Sequence, residues 1–469
     1  MKSIFKYCLV AVLSLSAFQS CELAELNVDP TRPADVALNL MMPEAITSSV
    51  FNQYSNPARI SGLVIQQFRG FDAQQVAYSD NYSIPEITFN NYWRTGLYAG
   101  SLKTCQRILD KAIEGGNPHY QGIAKILMAD GFGTAASYFG DIPFSEALKG
   151  IDDLKPAYDT QQAVYAGVQT LLDEAIALLN QPASAAPPTN DDLIFGGDAA
   201  KWIATANALK ARYYMHTQKR DAGAAGNALT LIQNSAFQSA ADQPNFAFGS
   251  GQTDNNPLAK FGVERPNTIV IDSRFADQMT ANADPRQVKY MEFDGENWLF
   301  FNDSNTDLIW AANASVMPLI SFVELKFLET EALYHTGASD SDVQDALIAA
   351  ITASMEANGI AQTDYQAYVD TYGDLGGLSS AEIHERIMVQ AYFAYYGVAF
   401  PQSFANFRRT GHPSLTPAPN GTNGLNPSGG VPQRWLYAAS EAQTNSANLE
   451  VARNNQGGAL MDVPVWAFQ

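Results

Sequence analysis

The sequence predicts an all-α fold: a scaffold of helical-repeat hairpins, interrupted by one large loop-rich insertion and closed by a loop-rich C-terminus. Three observations carry this. Apolar residues recur at three- and four-residue spacing through about 37–234 and again through about 318–400, the period of a helix with one buried face. These segments come in pairs with short connections and place Ala, Leu and Tyr where neighbouring helices would meet. One such hairpin cannot bury its apolar face alone, so neighbours stack. Between about 235 and 317 the stripes fade, and Gly, Pro, Asn and Asp rise, as in "DQPNFAFGSGQTDNNPLAKFGVERPN".

The chain opens with Lys2 and Lys6, an apolar run over residues 7–18, the small residue Ser20 and then Cys21. This is the pattern of a secretory signal. Its apolar part is far short of the roughly 20 residues that span a bilayer. A cysteine directly after the small residue is the acceptor pattern of a bacterial lipoprotein. Residues 1–20 are therefore expected to be removed and Cys21 to be lipidated. Several acyl chains, each methylene contributing about 0.8 kcal/mol, make a stable anchor without a protein helix in the membrane. Residues 21–36, with Pro30, Pro33, Asp29 and Asp35, read as an extended tether. The rest, 37–469, reads as a single domain.

Helical spacing starts at Met42, Ile46 and Val50. A broad stripe follows from Trp93 through Leu97, Leu102, Cys105, Ile108, Leu109 and Ala112, stopped by Gly115-Gly116. "PHYQGIAKILMADGFGTAASYFGD" is its antiparallel partner. "DTQQAVYAGVQTLLDEAIALLN" begins at a cap provided by Asp159 or Thr160. The loop Pro182–Pro188 separates it from "DAAKWIATANALKARYYMHTQKR". In the irregular region "TIVI" allows a brief strand. Helices resume at "MPLISFVELKFLETEALYHTG", "DSDVQDALIAAITASMEANG" and "SAEIHERIMVQAYFAYYG", and the tail, about 401–469, is rich in Pro, Gly and Asn.

The formal net charge is −20, and loss of the signal removes two lysines and no acid. Such a charge opposes nucleic-acid binding. Of the three cysteines, Cys8 leaves with the signal and Cys21 takes lipid, so Cys105 stands alone with a core-packing role. Catalytic constellations are not found. His119, His216, His335, His384 and His412 are scattered, with no pair at metal-ligand spacing, so no metal and no cofactor is expected. "GFG" at 131–133 lies between helical stripes and reads as helix packing rather than a phosphate loop. The carboxylate pairs Asp152-Asp153 and Asp191-Asp192 sit in polar loops, and Asp303 and Asp307 suit a solvated turn as well as a Ca²⁺ site.

Aromatic residues in Gly/Asn/Asp-rich loops stand out. Sugar rings present flat C–H faces that stack on Trp and Tyr, while nearby amides and carboxylates bond the hydroxyls. Two stretches have this mix. "RGFDAQQVAYSDNYSIPE" carries Phe71, Gln74, Tyr78, Asn81 and Tyr82, and "ENWLFFNDSNTDLIW" carries Trp298, Phe300, Phe301, Asn302 and Trp310. The candidate ligand-binding residues are Tyr78, Tyr82, Trp298, Phe300 and Trp310; no catalytic residue is assigned. The plain alternative is that these rings pin long loops to the scaffold.

A series of motifs in order along the whole chain resembles the SusD/RagB-like outer-membrane lipoproteins of the Bacteroidota. After the lipidated start come "ELNVDPTRP", "YWRTGLYAGSLKTCQRIL", "ASYFGDIPF", "KWIATANALKAR", "ADPRQVKY", "ETEA", "IHERIMVQAYFAYYG", "FRRTGHP" and "PQRWLYAASEAQTN". "ETEA" departs from the commoner "RAEA", and "YA" from "YP". The resemblance implies a tetratricopeptide-like helical scaffold and a non-enzymatic role: a lipid-anchored protein on the outer surface of the outer membrane that captures oligosaccharide, or in some cases peptide, for a TonB-dependent (SusC-like) transporter. Glu22 is compatible with surface export. The family's ligand residues lie in variable loops, so the aromatic loops above rest on their own physics. A surface glycan hydrolase would need two carboxylates roughly 5–10 Å apart in a cleft; a peptide- or protein-binding surface lipoprotein is the other alternative.

Overall fold

A computed structural model describes residues 36–469. The signal, Cys21 and nearly all of the tether lie outside the described residues. The chain begins with α1 (Leu38–Tyr54) and α2 (Asn56–Val64), then β1 (Phe68–Gly70) and α3 (Ala73–Asp80). A wide-turned helix over Asn91–Leu102 kinks at Gly100 (φ −97°, ψ −106°) and runs on as α4 (Lys103–Glu114). The antiparallel helices α5 (Pro118–Phe139), α6 (Gln161–Leu179), α7 (Ala199–His216) and α8 (Ala224–Asn234) then pack each on the next.

Local chemistry sets the helix starts. Pro118 opens α5, where its missing N–H costs nothing. Thr160 caps α6 by accepting from Ala163 N at 3.2 Å, and the Asp198 carboxylate accepts from Ala200 N and Lys201 N at the start of α7. The "GFG" segment lies inside α5, as helix packing requires. A Cβ on Gly133 would stand 2.3 Å from the Tyr213 ring of α7, so only glycine lets these helices approach this closely.

The irregular region contains more helix than its composition suggests: α9 (Pro257–Glu264), α10 (Ser273–Ala281) and the single turn α11 (Gln287–Tyr290). Its strands are β2 (Asn245–Ala247), β3 (Ile269–Ile271), β4 (Glu292–Phe293), β5 (Trp298–Leu299) and β6 (Val316–Pro318). They form three antiparallel pairs, β1–β3, β2–β6 and β4–β5. The "TIVI" stretch is β3, and its register, Phe68 opposite Ile271, ties the region to the N-terminal part.

The scaffold resumes with α12 (Phe322–Thr336), which packs directly on α8, so the repeats run on past the intervening segment. α13 (Asp340–Ala357), α14 (Gln362–Gly373) and α15 (Ser380–Ala394) complete it, the last opened by a reciprocal cap between Ser379 and Glu382. α16 (Phe400–Thr410) corrects the expectation that the loop-rich tail begins at about 401. Pro401 occupies the first turn of this helix rather than ending one, and Phe404 and Ala405 are buried as α16 returns to α2. α17 (Ala439–Thr444) and α18 (Ser446–Asn455) follow. The chain is mostly helix stacked on helix, the all-α repeat architecture expected.

Two apolar clusters form the core. The larger runs from α1 to the tail and includes Cys105, wholly buried in α4 with its thiol pushed up by desolvation. The smaller lies among α12–α15, and Trp310 and Phe322 pack against both. Three buried arginines cross-brace the helices. Arg212 of α7 bonds Glu324 of α12 and Asp130 of α5. Arg286, in the "DPR" turn, is paired with Asp284, both side chains fully buried. Arg409 of α16 grips Glu331 of α12.

Candidate ligand-binding site

The hairpin β4–β5 sets Trp298, from the second sequence-selected stretch, beside Phe293 as an accessible aromatic pair. The Asp294 carboxylate accepts from Asn297 N (2.7 Å) and Glu296 N (2.8 Å), which tightens the turn and holds this carboxyl below its ordinary range. Gly295, at φ +103°, supplies a backbone conformation that a side chain would strain. Phe293 and Trp298 are directly opposite in the register, so their side chains share a face. Their ring centroids are 5.0 Å apart at an interplanar angle of 47°. Phe293 is 52% exposed and Trp298 half-buried, which leaves ring surface open to solvent.

The opposite face of the hairpin is anchored. The Glu292 carboxylate accepts from the amides of Asn302 (2.9 Å) and Asn305 (2.8 Å), so these polar side chains hold the loop. β5 lies beside β3, and β3 pairs with β1, whose next residue, Phe71, is 44% exposed. Phe71 N donates to Thr268 O at 2.9 Å, which fixes this turn. Asp72, Gln74 and Glu296 are exposed on the same connected segments. Aromatic faces among amides and carboxylates suit a polyhydroxylated ligand.

The structure corrects several of the candidate residues. Tyr78 is buried in α3, its hydroxyl 3.1 Å from Thr88 Oγ1. Tyr82 is 1% exposed; its hydroxyl accepts from Ala418 N at 3.0 Å, and Gly421 passes over its ring. Phe300 is buried edge-on against Phe68 at 5.4 Å. Trp310 lies in the seam between the two cores, its indole N–H donating to Asn358 Oδ1 at 2.8 Å, its ring hard against Gly397. These four rings pin loops to the scaffold; Trp298 also packs against the larger core but is half-buried on the hairpin, with part of its ring open. Sequence reasoning missed Phe293 because its partnership with Trp298 depends on a register that only the closed hairpin reveals. The acidic loop is likewise engaged: Asp307 pairs with Lys289 at 2.5 Å, and Asp303 Oδ1 accepts from Asn313 at 3.2 Å.

A groove of about 900 Å³ between α1 and the kinked helix was also not foreseen. Phe51, Asn52, Asn56, Tyr92 and Thr95 are among its lining residues. Asn52 donates to Gly96 O and Asn56 to Thr88 O, each at 2.7 Å, so these amides serve the fold first. A second concavity, about 400 Å³, is bordered by Trp93, Tyr98, Leu154 and Glu441. None of the five candidate residues lines either groove.

Stacked helix pairs with an irregular side bearing aromatic rings define a helical-repeat binding scaffold. The chain belongs to the SusD/RagB-like family: the SusD-like model described as "starch-binding associating with outer membrane" matches residues 30–438. No curated protein matches it. Among solved structures it is similar to a SusD/RagB family protein from Bacteroides thetaiotaomicron, at 25% identity and TM-score 0.77, covering 92% of this chain and 99% of that one. It is similar to a chitin-binding protein at 23% identity and TM-score 0.76, covering 92% of this chain and all of that one. A chitin-binding SusD homologue from Flavobacterium johnsoniae shares the fold at 18% identity and TM-score 0.76, with 92% and 99% coverage.

Proposed function

We propose that this protein is a cell-surface lipoprotein, anchored through Cys21 to the outer membrane, that captures oligosaccharide and passes it to a TonB-dependent transporter. Membership of the SusD-like family supports the role, and the open Phe293–Trp298 pair supports the ligand class. Binding proceeds by stacking and hydrogen bonding, with release intact; the protein breaks no bond in its ligand. Among the described residues no helix is long and apolar enough to cross a membrane. Attachment through acyl chains leaves the helical scaffold outside the bilayer, where a broad face can dock a barrel.

Two similar proteins bind chitin, which makes β-linked N-acetylhexosamine oligomers the first ligands to test. The experiment is a glycan array on a chain beginning after Cys21, then calorimetry on the best ligand with Trp298→Ala and Phe293→Ala. Loss of one stacking face is expected to weaken binding about tenfold, equivalent to about 1.4 kcal/mol. Unchanged affinity in both variants, each with native far-UV dichroism, removes the hairpin as the site. A blank glycan array with saturable peptide binding replaces oligosaccharide by peptide as the cargo.

A further inference from the structure

His335, His384 and His412 are far apart in the sequence and meet in the fold. His335 lies one turn after Glu331 on α12, His384 projects from α15, and His412 follows the end of α16. The His384 ring stands 5.1 Å from His335 and 5.8 Å from His412, and lies parallel to Tyr334 at 4.9 Å. Local spacing concealed this group, because its members come from three helical segments.

Glu331 Oε1 is 3.3 Å from His335 Nε2 and 3.5 Å from His384 Nε2. One ligand atom from each of Glu331, His335 and His384 lies within 4.8 Å of the other two. A tetrahedral zinc site with bonds of about 2.0–2.1 Å has ligand atoms about 3.4 Å apart, so both oxygen–nitrogen separations already match its edge. A second observation points to a missing partner. His412 Nδ1 is a buried nitrogen with no hydrogen-bond partner, and beside it His384 Nε2 is buried with only the long 3.5 Å approach to Glu331 Oε1. An imidazole nitrogen removed from water is ordinarily bonded.

We propose that Glu331 Oε1, His335 Nε2 and His384 Nε2 bind a divalent late first-row transition ion, with Zn²⁺ as the test ion and water completing four-coordination. The donor set, two imidazoles and one carboxylate with an open position, is one that zinc accepts. Arg409 holds both oxygens of Glu331. A carboxylate offers about four lone-pair sites, so Oε1 can serve Arg409 and an ion together. Arg409 then orients the ligand, as outer partners do in metal sites. Gln218 plays this part for His335. Its amide lies 3.2 Å from His335 Nδ1, and a rotated amide would accept the Nδ1–H that ligation through Nε2 requires. Both imidazoles are partly exposed, 18% and 17%, so the group lies just beneath the surface even though His384 Nε2 itself is shielded. The bound ion would cross-brace α12 to α15.

The test is calorimetric titration of Zn²⁺ into the tag-free chain beginning after Cys21, with thermal melts and Co²⁺ absorption alongside. Saturable binding of one ion per chain, a chelator-reversible rise in melting temperature and a visible Co²⁺ band of four-coordinate intensity are expected. His335→Gln/His384→Gln should weaken binding by at least roughly a hundredfold, and His384→Gln alone by at least about tenfold, while His119→Gln leaves it unchanged. Far-UV dichroism checks that each variant folds; if the double variant does not, His384→Gln decides. No saturable binding, or equal binding in wild type and the deciding variant, overturns the proposal.

Discussion

Replacing Arg212 with methionine tests the central cross-brace. The guanidinium makes four hydrogen bonds: to Glu324 Oε1 at 2.6 Å, Glu324 Oε2 at 2.8 Å, Asp130 Oδ1 at 2.9 Å and Leu319 O at 3.1 Å. The acid side chains are 4% and 2% exposed, so water cannot replace those bonds. Removing one member of a buried ion pair costs about 3–5 kcal/mol. That is a large part of a total stability on the order of 5–15 kcal/mol. The expected loss at neutral pH is about 4 kcal/mol.

The pH dependence carries a sign. Burial pushes both the Asp130 and Glu324 carboxyls up, and Arg212 draws them down. In the variant Arg212's pull is gone: burial acts on Glu324 unopposed, and on Asp130 against only the hydrogen bonds from Tyr213 and Gln53. A carboxyl raised above its unfolded value contributes stability at low pH and loses it as pH rises through the folded value. The gap between Arg212→Met and wild type should therefore narrow from about pH 7 to about pH 5. His216 acts oppositely in both proteins, because burial lowers its imidazole to about 3. Below the ordinary value the unfolded chain binds that proton first, so stability falls with pH by about 1.4 kcal/mol per unit. Urea unfolding followed by far-UV dichroism at the two pH values measures the gap between variant and wild type. A gap below about 1 kcal/mol at neutral pH, or one that does not narrow on acidification, refutes the reasoning.

Three further outcomes follow from the same geometry. His216→Gln, able to bond Tyr165 and Gln402 without titrating, should flatten the acid limb by about 2 kcal/mol at pH 5; an unchanged stability–pH curve contradicts this. Trp310→Ala should cost about 2–3 kcal/mol, discounted from the usual range because Trp310 is only half-buried, whereas Trp298→Ala should cost less than about 1 kcal/mol; thermal melts of the two variants distinguish pinning from display. Gly133→Ala should destabilise by about 1–3 kcal/mol, since its methyl enters the Tyr213 ring, and a wild-type urea midpoint would show that α5 and α7 have room to part.

Much of the scaffold was legible because helix periodicity reports burial. Leu102, Cys105, Ile108 and Leu109 lie on one stripe, and all are buried. Thr160 and Asp198 announce helix starts by their capping chemistry. The candidate binding face was much less legible. An aromatic ring in a polar loop reads the same in sequence whether it faces solvent or the core. Tyr82 and Trp298 both sit among Asn and Asp, yet Tyr82 clamps the tail while Trp298 remains accessible on a hairpin. The difference arises from long-range pairing, Tyr82 with Ala418 and Gly421, which no local pattern encodes. The histidine group failed to register for the same reason.

The motifs that revealed the family concern a different part of the molecule from the proposed ligand face. Arg212 lies in "ALKAR", Arg286 in "DPR", Glu331 in "ETEA" and Arg409 in "FRRTG", and all four are buried: Arg212 with Glu324 and Arg409 with Glu331 are ionic braces between distant segments, while Arg286 pairs with Asp284 inside its own turn and reaches distant Ser354 and Tyr368 by hydrogen bonds. A buried ion pair tolerates loss of one partner poorly, so its two positions constrain each other whatever the protein binds. The Phe293–Trp298 hairpin has no such constraint. Its backbone is held by Asp294, Gly295 and Glu292, which leaves the two rings replaceable without dismantling the fold. If the hairpin is the ligand site, as proposed above, ligand choice would change on this scaffold by substitution at its rings while the arginine braces stay in place. A chimera carrying residues 292–299 of a chitin-binding relative in this chain should keep its urea midpoint within about 1 kcal/mol and take on the donor's preference. A chimera that folds but keeps the recipient's glycan profile would place specificity elsewhere, with the groove of Phe51 and Asn52 the next surface to exchange.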